Sequence, residues 1–198
     1  MRTDSKNRLI EAFKLHFPQL AEYPEEVTRA FRLKNVDSKT ILLSEGEKAQ
    51  YLFFVLKGCM RIYFIRNDGR EVTAQFFFEG QMVGSMESIF RNIPSKMYLE
   101  SLEESELAVI RIDDFSEIVK KHASLREMML LLLKNRLLYY AGLYISFITL
   151  SPEERYIRLI EEYPGILNRV SHHYIATYLG ITPVSLSRIR NRLAKNPR

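Results

Sequence analysis

The sequence predicts an α+β protein with an N-terminal antiparallel β-barrel or jelly roll, a long helix and a C-terminal helix–turn–helix domain. Three observations support this fold class. Hydrophobicity alternates with a period of two from about residue 31 to residue 112, between glycine-containing turns. Residues 124–149 form a helical run that is apolar on more than one face. Residues 165–198 contain five arginines and one lysine but no acidic residue.

Composition limits the class of protein. The chain has 198 residues, a net charge of +5 and 46% hydrophobic residues, enough for one medium domain or two small domains joined by a helix. Its single cysteine, Cys59, excludes an intramolecular disulfide and an iron–sulfur or zinc site built from several cysteines. The N-terminus lacks a signal-peptide core, and no apolar run is long enough to span a bilayer. We therefore expect a cytoplasmic protein without membrane contact.

The N-terminal part begins with short helices over residues 4–29 and then changes to strands. Asp68-Gly69 marks a tight hairpin, because such a turn needs a residue with positive φ. Many short strands with glycine corners are typical of a small antiparallel barrel or jelly roll. The strand-like runs are "ILLSEG", "YLFFVLKGCMRIYFI", "EVTAQFFFEGQMVG" and "MYLESLEESELAVIRI".

A long helix is predicted over about residues 115–149. Because it is apolar so far around its circumference, it must be covered on two sides. The barrel covers one side, and the same helix of a second subunit is expected to cover the other; the alternative is a core helix within one chain. The predicted homodimer face consists of Met129, Leu130, Leu133, Leu137, Tyr140, Tyr144 and Phe147.

"LSPEERY" predicts a hinge after the long helix. Ser151 is a helix N-cap, Pro152 suits the first helical position, and Glu154 completes a capping box. The hinge divides the chain into residues 1–150 and residues 151–198.

The pattern of residues 171–194 predicts a helix–turn–helix. Ser171 caps a first helix, in which the small Ala176 allows a second helix to cross closely. Gly180 sits where the chain must turn, and Thr182-Pro183 starts the second helix. Ile175 and Leu179 are expected to face inward on the first helix, and Leu186, Ile189 and Leu193 on the second.

The basic face of the second helix indicates a polyanion partner, double-stranded DNA. A helix over 182–194 would enter the major groove, where Arg188 can donate a bidentate pair of hydrogen bonds to guanine. Arg190, Arg192 and Lys195 are expected to hold the phosphate backbone. The alternative is a surface helix with solvated arginines. The full predicted DNA-binding set is Thr182, Val184, Ser185, Ser187, Arg188, Arg190, Asn191, Arg192 and Lys195.

With these motifs, the chain resembles the Crp/Fnr family of bacterial transcription regulators over nearly its whole length. "IATYLGITPVSLSRIRNRL" carries the most specific part of the resemblance. "SPEERY" with "EEYPGILNRV" is similar to a subgroup common among Bacteroidetes regulators. The resemblance implies a sensor domain similar to cyclic-nucleotide-binding domains over 1–150, a winged-helix-like DNA-binding domain over 151–198, a homodimer and RNA polymerase as a partner. Two-fold symmetry predicts DNA half-sites about one helical turn apart.

The resemblance also implies a small-molecule pocket at "VGSMESIFRNIPSKMYLES". Members that bind cyclic AMP have a glutamate and an arginine there. Gly84 and Met86 match the family pattern, but Ser85 replaces the glutamate, and the arginine position falls on Ser95 or Lys96. Lys96 could hold a phosphate only as a point charge. The sequence therefore argues against cyclic AMP and leaves an unidentified effector, or none.

The remaining residues argue against other classes. Ser88 and Asn92 are interpreted as solvent-facing loop residues. No histidine falls in the predicted barrel, which argues against a metal-dependent cupin-type enzyme, and no metal is predicted. No known cofactor is predicted, while the resemblance leaves a haem-binding form of the family as an alternative. The chain has no P-loop, dinucleotide fingerprint or nucleophile–base pair, so an enzyme is not expected. The second hypothesis is a ligand-binding module that acts on a protein partner rather than on DNA.

Overall fold

The computed structural model describes the backbone of residues 2–195 and the side chains from residue 6 onward. Met1 and residues 196–198, at the ends of the two predicted domains, lie outside the described residues. Helices and strands are both present, and the predicted α+β class is confirmed. The helices are α1 (Arg2–His16), α2 (Pro18–Ala21), α3 (Pro24–Ala30), α4 (Met86–Arg91), α5 (Ile112–Lys121), α6 (Ala123–Thr149), α7 (Pro152–Glu162), α8 (Ile166–Arg169), α9 (His172–Tyr178) and α10 (Pro183–Lys195).

Within residues 2–195, eight strands form two four-stranded sheets. The first has the order β1-β8-β3-β6 and the second the order β2-β7-β4-β5. The pairings β1–β8, β3–β8, β3–β6 and β2–β7 are antiparallel, as expected for a jelly roll. The strands are β1 (Arg32–Val36), β2 (Ile41–Leu43), β3 (Tyr51–Lys57), β4 (Met60–Ile65), β5 (Glu71–Phe77), β6 (Met82–Val83), β7 (Tyr98–Ser101) and β8 (Ser105–Arg111).

The predicted hairpin at Asp68-Gly69 joins β4 and β5. Gly69 has φ +79°, and its N–H donates to the Arg66 carbonyl at 2.8 Å. The Arg66 N–H donates to the Arg70 carbonyl at 2.9 Å, which closes the turn. The positive φ explains why glycine occupies this position.

The chain consists of two compact units. Residues up to Ile62, together with Phe76–Lys134, make up the first. The second contains the hairpin segment Tyr63–Gln75 and the chain from Asn135 onward.

Aromatic rings dominate the core of the first unit. The Phe54 ring lies at its centre, with ring centroids 4.8 Å from Phe17, 5.3 Å from Phe31 and 5.8 Å from Phe115. These pairs are edge-to-face, the arrangement that the ring quadrupoles favour. Leu52 on β3, with Ala108 and Ile110 on β8, belongs to the same cluster. Helices α1, α3 and α5 therefore cover one face of the first sheet.

The segment predicted as one helix over 115–149 is two helices. His122 separates α5 from α6 with an extended backbone (φ −118°, ψ 122°). Its Nε2 lies 3.0 Å from a Glu26 carboxylate oxygen, and its ring stacks on Tyr23 with centroids 3.7 Å apart. These contacts with the α2–α3 region stabilise the break between α5 and α6. The helical periodicity of the sequence did not predict this break. Among residues 2–195, no helix combines the length and apolar character that crossing a bilayer requires.

Helix α4 interrupts the region predicted as strands and loops. Ser88 on α4 is buried, and its hydroxyl accepts a hydrogen bond from the Ala49 N–H at 2.9 Å. The same hydroxyl donates to the Ile93 carbonyl. The interpretation of Ser88 as a solvent-facing loop residue is therefore wrong, because its hydroxyl joins two loops inside the unit. Asn92 is exposed, as expected.

The second unit has the predicted capping box at its hinge. The Ser151 N–H donates to a Glu154 carboxylate oxygen at 2.8 Å, and the Glu154 N–H donates to Ser151 Oγ at 3.3 Å. Helices α7 to α10 follow. The described residues 151–195 contain no strand, so the winged form expected from the resemblance has no counterpart in them. That segment also lacks the period-two runs from which a wing would form.

A buried ion pair joins β4 and β7. The Arg61 side chain is 1% exposed and that of Glu100 is 9% exposed, and the Arg61 Nη2 and Nε atoms each lie 2.6 Å from Glu100 Oε2. The sequence signal was a charge in the middle of the apolar run "MRIYFI", to which the sequence analysis assigned no role. Removing one partner of such a buried ion pair strongly destabilises the fold, because the other charge stays buried without compensation.

We expect Glu100→Ala to lower the free energy of unfolding by ~3–5 kcal/mol, because it leaves the Arg61 guanidinium buried without its carboxylate. Urea unfolding followed by circular dichroism measures the loss. The double variant Arg61→Met/Glu100→Leu serves as the control and should be the more stable of the two, because it removes both charges. A double variant as unstable as Glu100→Ala would show that packing, not charge, governs this position.

Candidate functional site

Two capped helices form the candidate nucleic-acid interface. Helix α9 begins after Ser171, whose hydroxyl oxygen accepts from the His173 N–H at 3.2 Å. Helix α10 begins after Thr182, whose Oγ1 accepts from the Ser185 N–H at 3.1 Å. Both predicted N-caps and both predicted helix starts are confirmed. Each cap satisfies one of the backbone donors that a helix start leaves unpaired.

The turn between α9 and α10 depends on Gly180. Its φ is +69°, and its N–H donates to the Thr177 carbonyl at 3.1 Å. The Ile181 N–H donates to the Ala176 carbonyl at 3.0 Å. These two bonds have the pattern of a Schellman motif, which ends a helix at a left-handed residue. A Cβ at Gly180 would also lie 3.2 Å from a ring carbon of Phe147.

Apolar side chains fix how α9 and α10 pack. Ile175, Ala176 and Leu179 are buried on the first helix. Leu186 and Ile189 are buried on the second, and Leu193 is half-buried. The predicted inward-facing residues are therefore confirmed. The spacing of Leu186 and Ile189 turns the opposite side of α10 outward.

Most of the predicted DNA-binding residues lie on that outward side. Arg188 is exposed, and it makes no ion pair or side-chain hydrogen bond with other residues in the range 6–195. Its five N–H donors are thus available to a ligand. The exposed members of the set are Thr182, Val184, Ser187, Arg188, Asn191, Arg192 and Lys195, whereas Ser185 and Arg190 are half-buried.

Two basic residues of α10 have partners within the second unit. Arg192 forms an ion pair with Glu153 on α7. The Arg190 Nη1 atom lies 2.7 Å from Nε2 of His172 on α9. Neither contact was predicted from the sequence, because these partners are 39 and 18 residues away along the chain.

Arg155 joins three segments of the second unit, a role that was not predicted from the sequence. Its Nη1 donates to the Leu150 carbonyl at 2.8 Å, and its Nη2 donates to the Leu179 carbonyl at 3.1 Å. The guanidinium carbon lies 4.6 Å from the centroid of the Phe147 ring, within cation–π range. One side chain thus connects the end of α6, the hinge and the turn after α9. The only sequence signal was an arginine inside the hinge motif "SPEERY".

Two further polar contacts hold α9 in the second unit. The hydroxyls of Tyr139 on α6 and Tyr178 on α9 lie 2.9 Å apart. Burial raises the pKa of both tyrosines above the usual value of 10.0, so both hydroxyls remain neutral at physiological pH. On the hairpin side, the Thr177 hydroxyl lies 3.1 Å from the Thr73 hydroxyl.

Helix α6 carries a continuous exposed apolar face. Leu137 and Tyr144 are each 69% exposed, and Leu130, Tyr140 and Phe147 are also exposed. Met129 and Leu133, the other two members of the predicted dimer face, are half-buried. Neighbouring exposed apolar residues widen the face: Leu131, Leu138, Ile145 and Ile148.

The predicted ligand pocket contains serines that bond to one another. Gly84, Ser85 and Ser95 are buried, and Met86 begins α4 half-buried. The Ser95 and Ser85 hydroxyl oxygens lie 3.1 Å apart, and Ser95 Oγ accepts from the Met97 N–H at 3.1 Å. The Lys96 ammonium points outward and lies 3.6 Å from a Glu87 carboxylate oxygen. Ser85 and Ser95 thus supply hydroxyl groups to this pocket, and the cation of Lys96 lies on its exposed side.

Comparison with known proteins supports the predicted architecture. Residues 33–122 match the cyclic nucleotide-binding domain family. The chain is 24% identical over 175 residues to the "Anaerobic regulatory protein" of Pasteurella multocida, an alignment that covers 83% of this chain. The same alignment spans 63% of the length of that relative.

Two solved structures are similar in fold. FixK2 from Bradyrhizobium japonicum has a TM-score of 0.74 at 18% identity, covering 83% of this chain and 85% of its own. A protein from Eubacterium rectale assigned to the Crp/Fnr family of transcriptional regulators has a TM-score of 0.70 at 20% identity, covering 91% and 84%. The predicted fold, a jelly roll followed by helices and a C-terminal helix–turn–helix, is confirmed.

We expect Gly180→Ala to destabilise the second unit by more than the ~1–2 kcal/mol that a left-handed L-residue costs, because the new methyl would also press on Phe147. Gly165→Ala is the matched control, since Gly165 also has a positive φ but faces open space. Thermal unfolding of both variants measures the difference. Equal losses would mean that the Phe147 contact contributes nothing.

Proposed function

We propose that this chain is a sequence-specific DNA-binding transcription regulator of the Crp/Fnr type, acting in the cytoplasm. The observation that supports this most is the exposed guanidinium of Arg188 on α10, which has no ion pair or side-chain hydrogen bond among residues 6–195 and lies opposite the buried Leu186 and Ile189. The regulatory relative and the fold of the two similar structures agree with this proposal.

In the proposed complex, α10 lies in the major groove with its N-terminal half against the base edges. Arg188 donates a bidentate pair to guanine O6 and N7, while Ser187 and Asn191 beside it supply hydrogen bonds to bases or phosphates. The exposed Val184 can contact a thymine methyl group.

The other basic residues of α10 are proposed to position the helix on the phosphate backbone. Lys195 is exposed and contributes a mobile positive charge. Arg192 and Arg190 are already oriented by Glu153 and His172. Such orientation lowers the entropy that each side chain loses when it binds phosphate.

We further propose that two chains pair through the exposed apolar face of α6. Leu130, Leu137 and Tyr144 repeat every seven residues, as do Leu133, Tyr140 and Phe147, and this is the spacing of a helix-on-helix seam. The pairing would place two copies of α10 about one DNA turn apart, on a near-palindromic site. RNA polymerase is the expected protein partner of such a dimer.

The proposed effector is a small molecule other than cyclic AMP. Ser85 and Ser95 bond to each other, and the Lys96 charge lies outside with Glu87. A cyclic phosphate placed at these serines would therefore lack the cation that compensates its desolvation.

We expect Arg188→Ala to weaken binding to the preferred DNA site by ~1–3 kcal/mol, because a bidentate contact to guanine is lost. The preferred site is first selected from a random duplex pool with the purified protein. Fluorescence anisotropy then compares the selected and scrambled duplexes at one fixed salt concentration. Lys195→Ala is the control and should weaken both duplexes alike. Equal losses for Arg188→Ala on both duplexes would contradict its role as a base reader.

We expect the double variant Leu137→Lys/Tyr144→Lys to be monomeric at micromolar concentration, because two buried charges would oppose pairing of α6. Sedimentation equilibrium measures the mass. Leu15→Lys is the control: Leu15 is 76% exposed on α1 and lies outside the proposed seam, so this variant should remain dimeric. A wild-type monomer under the same conditions would refute the seam.

A further inference from the structure

We propose that the first unit contains a second binding site, a basic groove that takes a small organic anion with a flat apolar body. The groove has a volume of about 650 Å³ and opens beside β1, β8 and β3. Four cations line it: Arg29, Arg32, Lys34 and Arg111. We call it the β1–β8 groove.

The strand register places these residues on one face of the first sheet. Arg32 pairs with Val109, and Val109 pairs with Phe53 on the other side, so the three form a row across the sheet. Arg111 pairs with Tyr51 in the next row on that face. Lys34 is two residues from Arg32 and therefore on the same face.

That face is turned away from the helices. Leu52 and Phe54 on β3, like Ala108 and Ile110 on β8, alternate with the groove residues and lie in the core beneath α1, α3 and α5. The groove residues therefore lie on the face of the first sheet opposite those helices. Arg29 reaches the groove from the last turn of α3.

Three of the four groove cations have no ion pair within the described residues. With other residues in the range 6–195, neither Arg29 nor Arg32 nor Lys34 makes an ion pair or side-chain hydrogen bond. Arg111 has only a long contact, 3.7 Å, with Asp113. A single carboxylate, Asp114, lines the groove. Four like charges on one wall repel each other, and a bound anion would relieve that repulsion.

The floor of the groove is apolar and aromatic. Phe53 is 5% exposed and Tyr51 is 40% exposed, and Leu42 and Val109 complete the surface. A flat ring could stack on Tyr51 while its anionic group accepts hydrogen bonds from the arginines. The volume is that of a site for a drug-sized molecule, and an apolar floor with a few charged groups is typical of such sites.

The groove lies near the predicted ligand pocket but has a different lining. Ser85, Ser95 and Lys96 do not line it. A smaller neighbouring cavity of about 400 Å³ contacts Gly84 and shares Leu42, Tyr51 and Phe53 with the groove. The groove is thus a candidate effector site for the proposed regulator. Its role as an effector site rests on the proposed function, whereas the binding of an anion in the groove does not.

Isothermal titration of the full chain without DNA tests the site with 2-naphthyl phosphate. We expect it to bind more tightly than 2-naphthol, which lacks the charge, and than inorganic phosphate, which lacks the ring. Arg32→Gln/Lys34→Gln should weaken binding roughly tenfold or more, because two charge-assisted hydrogen bonds are lost. Arg66→Gln/Arg70→Gln, at the exposed β4–β5 turn, should leave the affinity unchanged.

Several outcomes would overturn the proposal. These are no binding of 2-naphthyl phosphate at millimolar concentration, an unchanged affinity in Arg32→Gln/Lys34→Gln, or equal binding of 2-naphthol. A poly-glutamate peptide that displaces the probe and binds more tightly would identify the groove as a protein-docking surface instead. Unchanged melting temperatures of the variants control for folding, and unchanged DNA binding by Arg32→Gln/Lys34→Gln keeps this result separate from the proposed function.

Discussion

The packing of α10 on α9 is the constraint on which the DNA-binding hypothesis depends. Leu186 and Ile189 of α10 are buried, and so is Ala176 on α9, the helix that α10 contacts. This packing turns Arg188 to the solvent. Gly180 makes the short connection feasible because its left-handed backbone closes the Schellman turn without a Cβ against Phe147. A different rotation of α10 would bury its basic face and remove the binding surface.

Polar anchors then connect this motif to the rest of the second unit. Arg155 donates to the carbonyls of Leu150 and Leu179, and the neutral Tyr139–Tyr178 pair joins α6 to α9. These hydrogen bonds are partly buried. An unpaired polar group there costs more free energy than it does in water. The orientation of the helix–turn–helix against the end of α6 is therefore specified by directional contacts as well as by apolar packing.

The first unit contains the segment that matches the cyclic nucleotide-binding domain family, and polar side chains inside it are paired with one another. The buried Arg61 forms an ion pair with Glu100, and Ser95 of the predicted pocket forms a hydrogen bond with Ser85. Three cations that form no ion pair with residues 6–195, Arg29, Arg32 and Lys34, line the β1–β8 groove instead. Under the proposal made above, an anion would therefore bind at the groove rather than at Ser85 and Ser95.

The sequence by itself determined the local features: the strand region, the Asp68-Gly69 hairpin, the Ser151 and Ser171 caps, the Gly180 turn and the outward face of α10. These depend on residues a few positions apart, whose periodicity and backbone preferences are readable along the chain. Only the tertiary structure decided the break at His122, the burial of Ser88, the Arg61–Glu100 pair and the partners of Arg192 and Arg155. Each of these depends on groups brought together from distant positions, and no local pattern encodes which distant partner a polar side chain will meet.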